Sequence, residues 1–174
     1  MKKQITLALV ALFTFGSILG QKKSEQNQGK EEVVDGQYTK IKQLILSKTY
    51  YFEADRVSPI GFGTIDLTGN SNYLKIFNDS VDVYLPYFGV RYTAVGLGES
   101  GGIKFTELIE DYTERYNDDK KRISIDLKAI HRGESFDIKL IIYKNGSTWV
   151  MVRSSSRRGI GYWGHIQTDE QGPL

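Results

Sequence analysis

Two short segments of this sequence gather side chains able to bind a ligand. In the first, Tyr84, Tyr87, Phe88 and Tyr92 stand with Arg91 around Pro86 and Gly89. Proline has no backbone N–H for a central ladder, so Pro86 marks a strand end or a bulge. Glycine permits close backbone approach. Aromatic faces stack on sugars or apolar rings, and an arginine fork clamps a carboxylate or phosphate. The plainer alternative packs Tyr84 and Phe88 in the core and leaves Tyr87 and Tyr92 on its rim. The second segment runs from Ser154 to His165, with Arg157, Arg158, Trp163 and His165 interleaved with Gly159, Gly161 and Gly164. It suits an anion or glycan site. Its alternative is a hairpin loop with a charged tip, followed by a strand carrying Trp163 on one face. The candidate ligand site is where the two segments meet: Tyr84, Tyr87, Arg91, Tyr92, Arg157, Trp163 and His165.

Catalytic chemistry finds less support. There is no cysteine, which removes disulfides, thiolate nucleophiles and cysteine-held zinc. The only histidines are His131 and His165, so a three-histidine metal site cannot be built. No Gly-x-Ser-x-Gly elbow supports a serine nucleophile, and no Gly-Lys-Ser/Thr loop supports phosphate binding. Glu107, Glu110, Asp111 and Glu114 would share a face if 107–121 were helical, but such a row reads as a solvated face. Asn117-Asp118-Asp119 lacks the glycine and terminal glutamate of a calcium loop. No catalytic residue, metal or cofactor is therefore assigned.

The elements that must position these residues follow from pattern. Lys2 and Lys3, the apolar run Ile5–Leu19 and the polar stretch after Gly20 describe a secretory signal peptide over 1–20. The run is shorter than the roughly 20 apolar residues of a membrane span; an uncleaved anchor is the alternative. Those two lysines account for the whole formal charge of +2, so the rest of the chain has no electrostatic footprint for nucleic acid. Residues 21–35 read as a polar tether. Tyr38, Ile41, Leu44 and Ile45 recur at helical spacing, which predicts a helix over 36–48 with Asp35 as its cap. From Thr49 the period becomes that of strands, over 49–55, 62–68, 72–77, 81–85, 90–96 and 102–106. Residues 107–121 read as a helical turn or long loop. Strict alternation returns over 123–129 and 136–143, with turns at Arg132-Gly133 and Asn145-Gly146, then strands at 149–154 and 159–167. The expectation is a mainly β domain over 36–167 with a tail at 168–174. It is an antiparallel sandwich or barrel-like meander of about nine or ten short strands with one amphipathic helix.

Three patches taken together resemble a known family. They are Tyr73–Val81 running into Tyr84-Leu85-Pro86-Tyr87-Phe88-Gly89; Gly101–Phe105; and Asn145-Gly146 followed by Arg157 and Ile160–Ile166. Their order resembles domain of unknown function 4251, over roughly residues 40 to 167. The resemblance implies an exported bacterial protein with a β-rich body, and carries no catalytic or binding residues.

The functional expectation is an exported, non-catalytic binding domain of the periplasm or cell envelope, or a secreted one. Its partner would be a small molecule, a glycan or an envelope protein, with no nucleic acid and no membrane span after the leader. The alternatives are a hydrolase of envelope or dietary polymers using a carboxylate pair or His165 with a neighbouring aspartate, and an interaction protein presenting a sheet edge. A small outer-membrane barrel is disfavoured by the preceding helix and by runs shorter than the roughly 9 residues such strands need.

Overall fold

The computed structural model describes residues 36–61, 63–93 and 101–168. The leader 1–20, the tether 21–35, the Asp35 cap, all of the tail but Thr168, and the end of the expected 90–96 strand lie outside them.

A helix, α1 (36–46), precedes ten strands. These are β1 (Thr49–Pro59), β2 (Ile65–Asp66), β3 (Tyr73–Phe77), β4 (Ser80–Leu85), β5 (Ile103–Leu108), β6 (Asp111–Asn117), β7 (Arg122–His131), β8 (Glu134–Tyr143), β9 (Ser147–Ser154) and β10 (Ile160–Gln167). All pairings are antiparallel, in the order β5-β4-β3-β1-β10-β9-β8-β7-β6, with β2 alongside β1. The two end strands, β5 and β6, are joined only by Ile109 and Glu110. Their backbone N–H groups donate to Asp79 O on one side and Lys128 O on the other, both at 2.8 Å. So short a link can join opposite edges only if the sheet curls, and the result is a half-barrel.

Alternation decides what goes inside. Phe52, Leu74, Val83, Ile125, Leu140 and Tyr162 point inward and are buried. Asp126, Asp137, Lys139 and Arg153 point outward from the same strands. This polarity is the reverse of a membrane barrel, whose outer band is apolar. Among the described residues no helix is long and apolar enough to cross a membrane.

α1 buries Tyr38 and Ile45 against the core. It ends two residues before the expected boundary because Lys48 takes a left-handed conformation (φ 55°) and turns the chain into β1. The β7–β8 hairpin turns on Arg132 and Gly133, both with positive φ, as a two-residue primed turn requires. At Asn145-Gly146 only Gly146 has positive φ, so that turn is the longer, bulged kind.

Two expectations fail here. Residues 107–121 are neither helix nor long loop; they complete β5 and form β6. The row Glu107, Glu110, Asp111 and Glu114 therefore shares no helical face. The inward side of β6 is Tyr112, Glu114 and Tyr116, too polar to read as a core strand. Glu114 is tolerated there because Lys48 lies 3.2 Å from its Oε1 and the Tyr116 hydroxyl donates to Oε2 at 2.5 Å. An inward charge on an edge strand also discourages edge-to-edge association. Of the strand expected over 90–96, the described residues 90–93 form only an isolated bridge, from Arg91 to Arg157.

Along the free side of β1, β3 reaches Phe52 and β2 begins at Arg56. Buried Asn72 fills the gap: Ala54 N–H donates to its Oδ1 at 2.8 Å, and its Nδ2 donates to Ala54 O at 2.9 Å. Asn72→Ala strands both backbone groups and should cost about 2–4 kcal/mol at about 1–2 each. Chemical denaturation checks this; a midpoint unchanged from the parent would show that water replaces the amide.

Candidate functional site

At the end of the half-barrel opposite α1, the connection 86–93 meets the β9–β10 connection 155–159. The contact is a fragment of ladder: Tyr92 N–H donates to Ser156 O at 2.8 Å, and Arg158 N–H donates to Val90 O at 2.9 Å. The Tyr87 hydroxyl pins both loops, lying 2.8 Å from Val90 O and 3.0 Å from Arg158 O. Its ring lies over Gly89, where an added Cβ would stand 2.5 Å from Tyr87 Cζ. Burial raises the Tyr87 pKa although Arg157 opposes it, so the hydroxyl keeps its proton and donates. Inside, buried Tyr162 donates to Pro86 O at 2.8 Å.

Arg157 is the centre of this end. It is 8 % exposed. Its Nε and Nη2 donate to the two Glu134 oxygens at 2.7 and 3.0 Å, and Nη1 donates to Gly102 O at 2.9 Å. The guanidinium also stacks near Tyr87 and Phe136, 5.4 and 5.6 Å from their centroids. Ser154 Oγ donates to Glu134 as well. Each of the three guanidinium nitrogens is engaged within the protein and the side chain is nearly buried, so Arg157 serves structure rather than standing open to a ligand. Arg157 instead ties the β7–β8 hairpin and the start of β5 to the β9–β10 loop.

The consequence is a groove beside the node. It has a volume of about 440 Å³, and its walls include Tyr84, Pro86, Phe88, Gly102 and Lys104. Leu67, Leu85 and Ile103 form an apolar floor, and Asn70 and Ser71 close one side. Arg157 anchors the lining through Gly102 O, and Tyr162 anchors it through the neighbouring Pro86 O. Strand register aligns Tyr73, Tyr84 and Lys104 in one outward row. The rings of Tyr73 and Tyr84 lie 5.8 Å apart, and Lys104 Nζ stands 5.4 Å from the Tyr84 centroid. Tyr84 and Phe88 are 40 % and 44 % exposed, so neither packs in the core.

The seven residues expected to form one site are thus distributed over three places. Tyr84 lines the groove. Tyr87, Arg91 and Arg157 belong to the node behind it, and Tyr92 lies on the outside of that node, 65 % exposed. Trp163 and His165 alternate with buried Tyr162 and Gly164, so they face outward on β10, away from the buried Arg157 side chain. Trp163 packs against Trp149, with centroids 6.4 Å apart. His165 Nδ1 lies 3.0 Å from Asp55 Oδ2, and both side chains are more than half exposed. His131 is half-buried, stacks on Phe105 and lies 2.8 Å from Glu107 Oε1. Leu67, Asn70, Ser71 and Lys104 escaped the sequence reading. The β4–β5 register brings Lys104 beside Tyr84, and the β2–β3 connection brings Leu67, Asn70 and Ser71; single-chain periodicity supplies neither. Among the described residues no cluster of histidine and carboxylate side chains fits a metal ion.

No curated protein matches this chain. The half-barrel resembles the crystal structure of a DUF4251 family protein from Bacteroides eggerthii DSM 20697, with a TM-score of 0.59 and 16 % identity over 76 % of this chain and 87 % of that one. At that identity the likeness concerns the fold alone. A family model described as domain of unknown function (DUF4251) matches residues 33–166, which include the aromatic segment, the Arg157 node and the groove, and the chain belongs to that family.

Proposed function

We propose that this protein is an exported, non-catalytic binding domain, and that the groove beside the Arg157 node takes a small ligand with an apolar ring and an anionic group. The observation that carries this reading is the groove itself. Its volume of about 440 Å³ is within the range of small-molecule sites. Tyr84 and Phe88 offer exposed aromatic faces, and Lys104 supplies a cation at the rim. Buried residues anchor its walls, so the site is formed before ligand arrives and little ordering entropy opposes binding. The leader motif Lys2-Lys3 with Ile5–Leu19 supports export.

The hydrolase reading has one observation in its favour, the His165–Asp55 pair. An imidazole oriented by a carboxylate is half of a general-base arrangement. Both groups stand exposed on the outer face of the sheet, where water screens every charge. The binding reading is therefore preferred.

Native mass spectra of protein taken from its own envelope fraction test the preferred reading. A chain starting near Gln21 is expected, with a mass excess that disappears on denaturation. Tyr84→Ala should weaken retention of that ligand about tenfold, the worth of one stacking contact. Lys104→Glu should weaken it further. An unprocessed chain would overturn cleavage of the leader in favour of the anchor; a clean apo mass, or retention unchanged in both variants, would overturn the groove.

A further inference from the structure

We infer that the outer face of β6–β9 carries a second, separate site, for a neutral saccharide chain, with Trp149 as its stacking platform. Register sorts the outward side chains of this face into three rows. One is Trp163, Trp149 and Ile141; the next is Gly161, Met151, Lys139 and Asp126; the third is Arg153, Asp137, Lys128 and Asp111. Between the first and third rows lies a shallow trough of about 290 Å³, walled by Trp149, Met151, Lys139, Asp126, Asp137 and Arg153 among others. Gly161 contributes to its shape. A Cβ there would stand 3.3 Å from Trp149 Nε1, so the missing side chain lets the indole lie close along β10.

The charges select the ligand. Along the third row the signs alternate: Arg153 faces Asp137, Asp137 faces Lys128, and Lys128 faces Asp111. In the second row Lys139 lies 3.3 Å from Asp126. Such a surface offers neither a polyanion nor a polycation a net attraction, and its charges deny an apolar partner a dry face. It does offer carboxylate acceptors beside lysine and arginine donors. A sugar's neighbouring hydroxyls both donate and accept, and so can engage both at once. The surface ion pairs contribute little to stability, so they can rearrange around a ligand at small cost. The apolar face of a pyranose ring packs on an indole. Four strands spaced by about 4.8 Å span roughly 14 Å, enough for a short run of rings rather than one. The trough is open at its ends and built on strands, which suits a chain passing across it. It shares no residue with the groove at Tyr84.

The chain has two tryptophans, and both lie on this face, so tryptophan emission reports this trough and not the groove. The test titrates the full protein with cellohexaose, maltohexaose, xylohexaose and mannohexaose, and with an oligogalacturonate of similar length as the charged comparison. At least one neutral hexasaccharide should change the emission saturably at millimolar concentration. The charged oligomer should bind more weakly. Trp149→Ala, followed by amide shifts in NMR spectra, should weaken binding about tenfold. The exposed Asp137→Ala should weaken it while leaving the unfolding midpoint unchanged, so it carries the test if Trp149→Ala does not fold. Tyr84→Ala should bind as the parent does, which separates this site from the groove. No saturable response to any of the four, preference for the oligogalacturonate, or undiminished binding by a folded Trp149→Ala or Asp137→Ala protein would overturn the proposal.

Discussion

Gly164→Ala should leave the protein unable to hold its native fold. Gly164 lies inward on β10, opposite Ala54 of β1, where β1 carries a register shift between Ala54 and Arg56. The shift brings the β1 backbone over the glycine. An added Cβ would stand 2.7 Å from Ala54 Cα and 2.8 Å from the Glu53 carbonyl carbon. These are backbone atoms, and no rotamer change relieves them. β1 also cannot retreat, because its other side is held by β3, by β2 and by the Asn72 amide. Overpacking with no room to relax belongs to the small class of substitutions costing more than about 4 kcal/mol. Gly161→Ala, on the opposite face of the same strand, is the control. Its Cβ meets the edge of the Trp149 side chain, which can shift, so the cost should stay near 1 kcal/mol. Circular dichroism melts of both variants check the pair; a Gly164→Ala midpoint close to the parent's would mean that the bulge is looser than its geometry.

Strands β7 and β8 were legible because apolar and polar residues alternate along them up to Leu140, and Arg132-Gly133 and Asn145-Gly146 mark the turns that lead on to β8 and β9. β6 was hidden by chemistry. Its inward residues Tyr112, Glu114 and Tyr116 have the strand period but not the apolar character that periodicity is read from. Partners for Tyr112 and Glu114, namely Tyr50 and Lys48, come from β1 and the turn before it, five places away in the sheet order. The candidate site was half legible. Segments 84–92 and 155–159 do meet, and Arg157 is central to their contact. Its role was not readable, because an arginine that clamps a ligand and one that clamps Glu134 look alike in sequence. Burial separates them. Trp163 and His165 were grouped with Arg157 by nearness in sequence, and the two-residue period of β10 sends them to the other face.

Removing either partner of the Glu134–Arg157 pair gives the second large expected effect. The side chains are 14 % and 7 % exposed, so loss of one leaves the other charge nearly dry and unpaired. Breaking such a pair costs about 3–5 kcal/mol. Glu134→Ala and Arg157→Ala should each lower the melting temperature by roughly 10 °C or more. Arg157→Ala should have a second consequence that Glu134→Ala lacks, since it also frees Gly102 O at the groove wall. Ligand retention should therefore fall further in the arginine variant. The double variant Glu134→Leu with Arg157→Met removes both charges and should recover part of the loss, as apolar replacements of buried pairs do. The same pair sets an acid limit. Burial pushes the Glu134 pKa up, but the Arg157 and Ser154 hydrogen bonds and the nearby arginine charges outweigh it, and the net shift is downward. A carboxylate held below its unfolded value of about 4.3 contributes stability that is complete above that pH. That contribution declines as pH falls from there through the folded value. The parent should lose stability over this acidic window, and the double variant should lose less of it. Equal acid sensitivity in the two proteins would show that other carboxylates, and not this pair, govern the response.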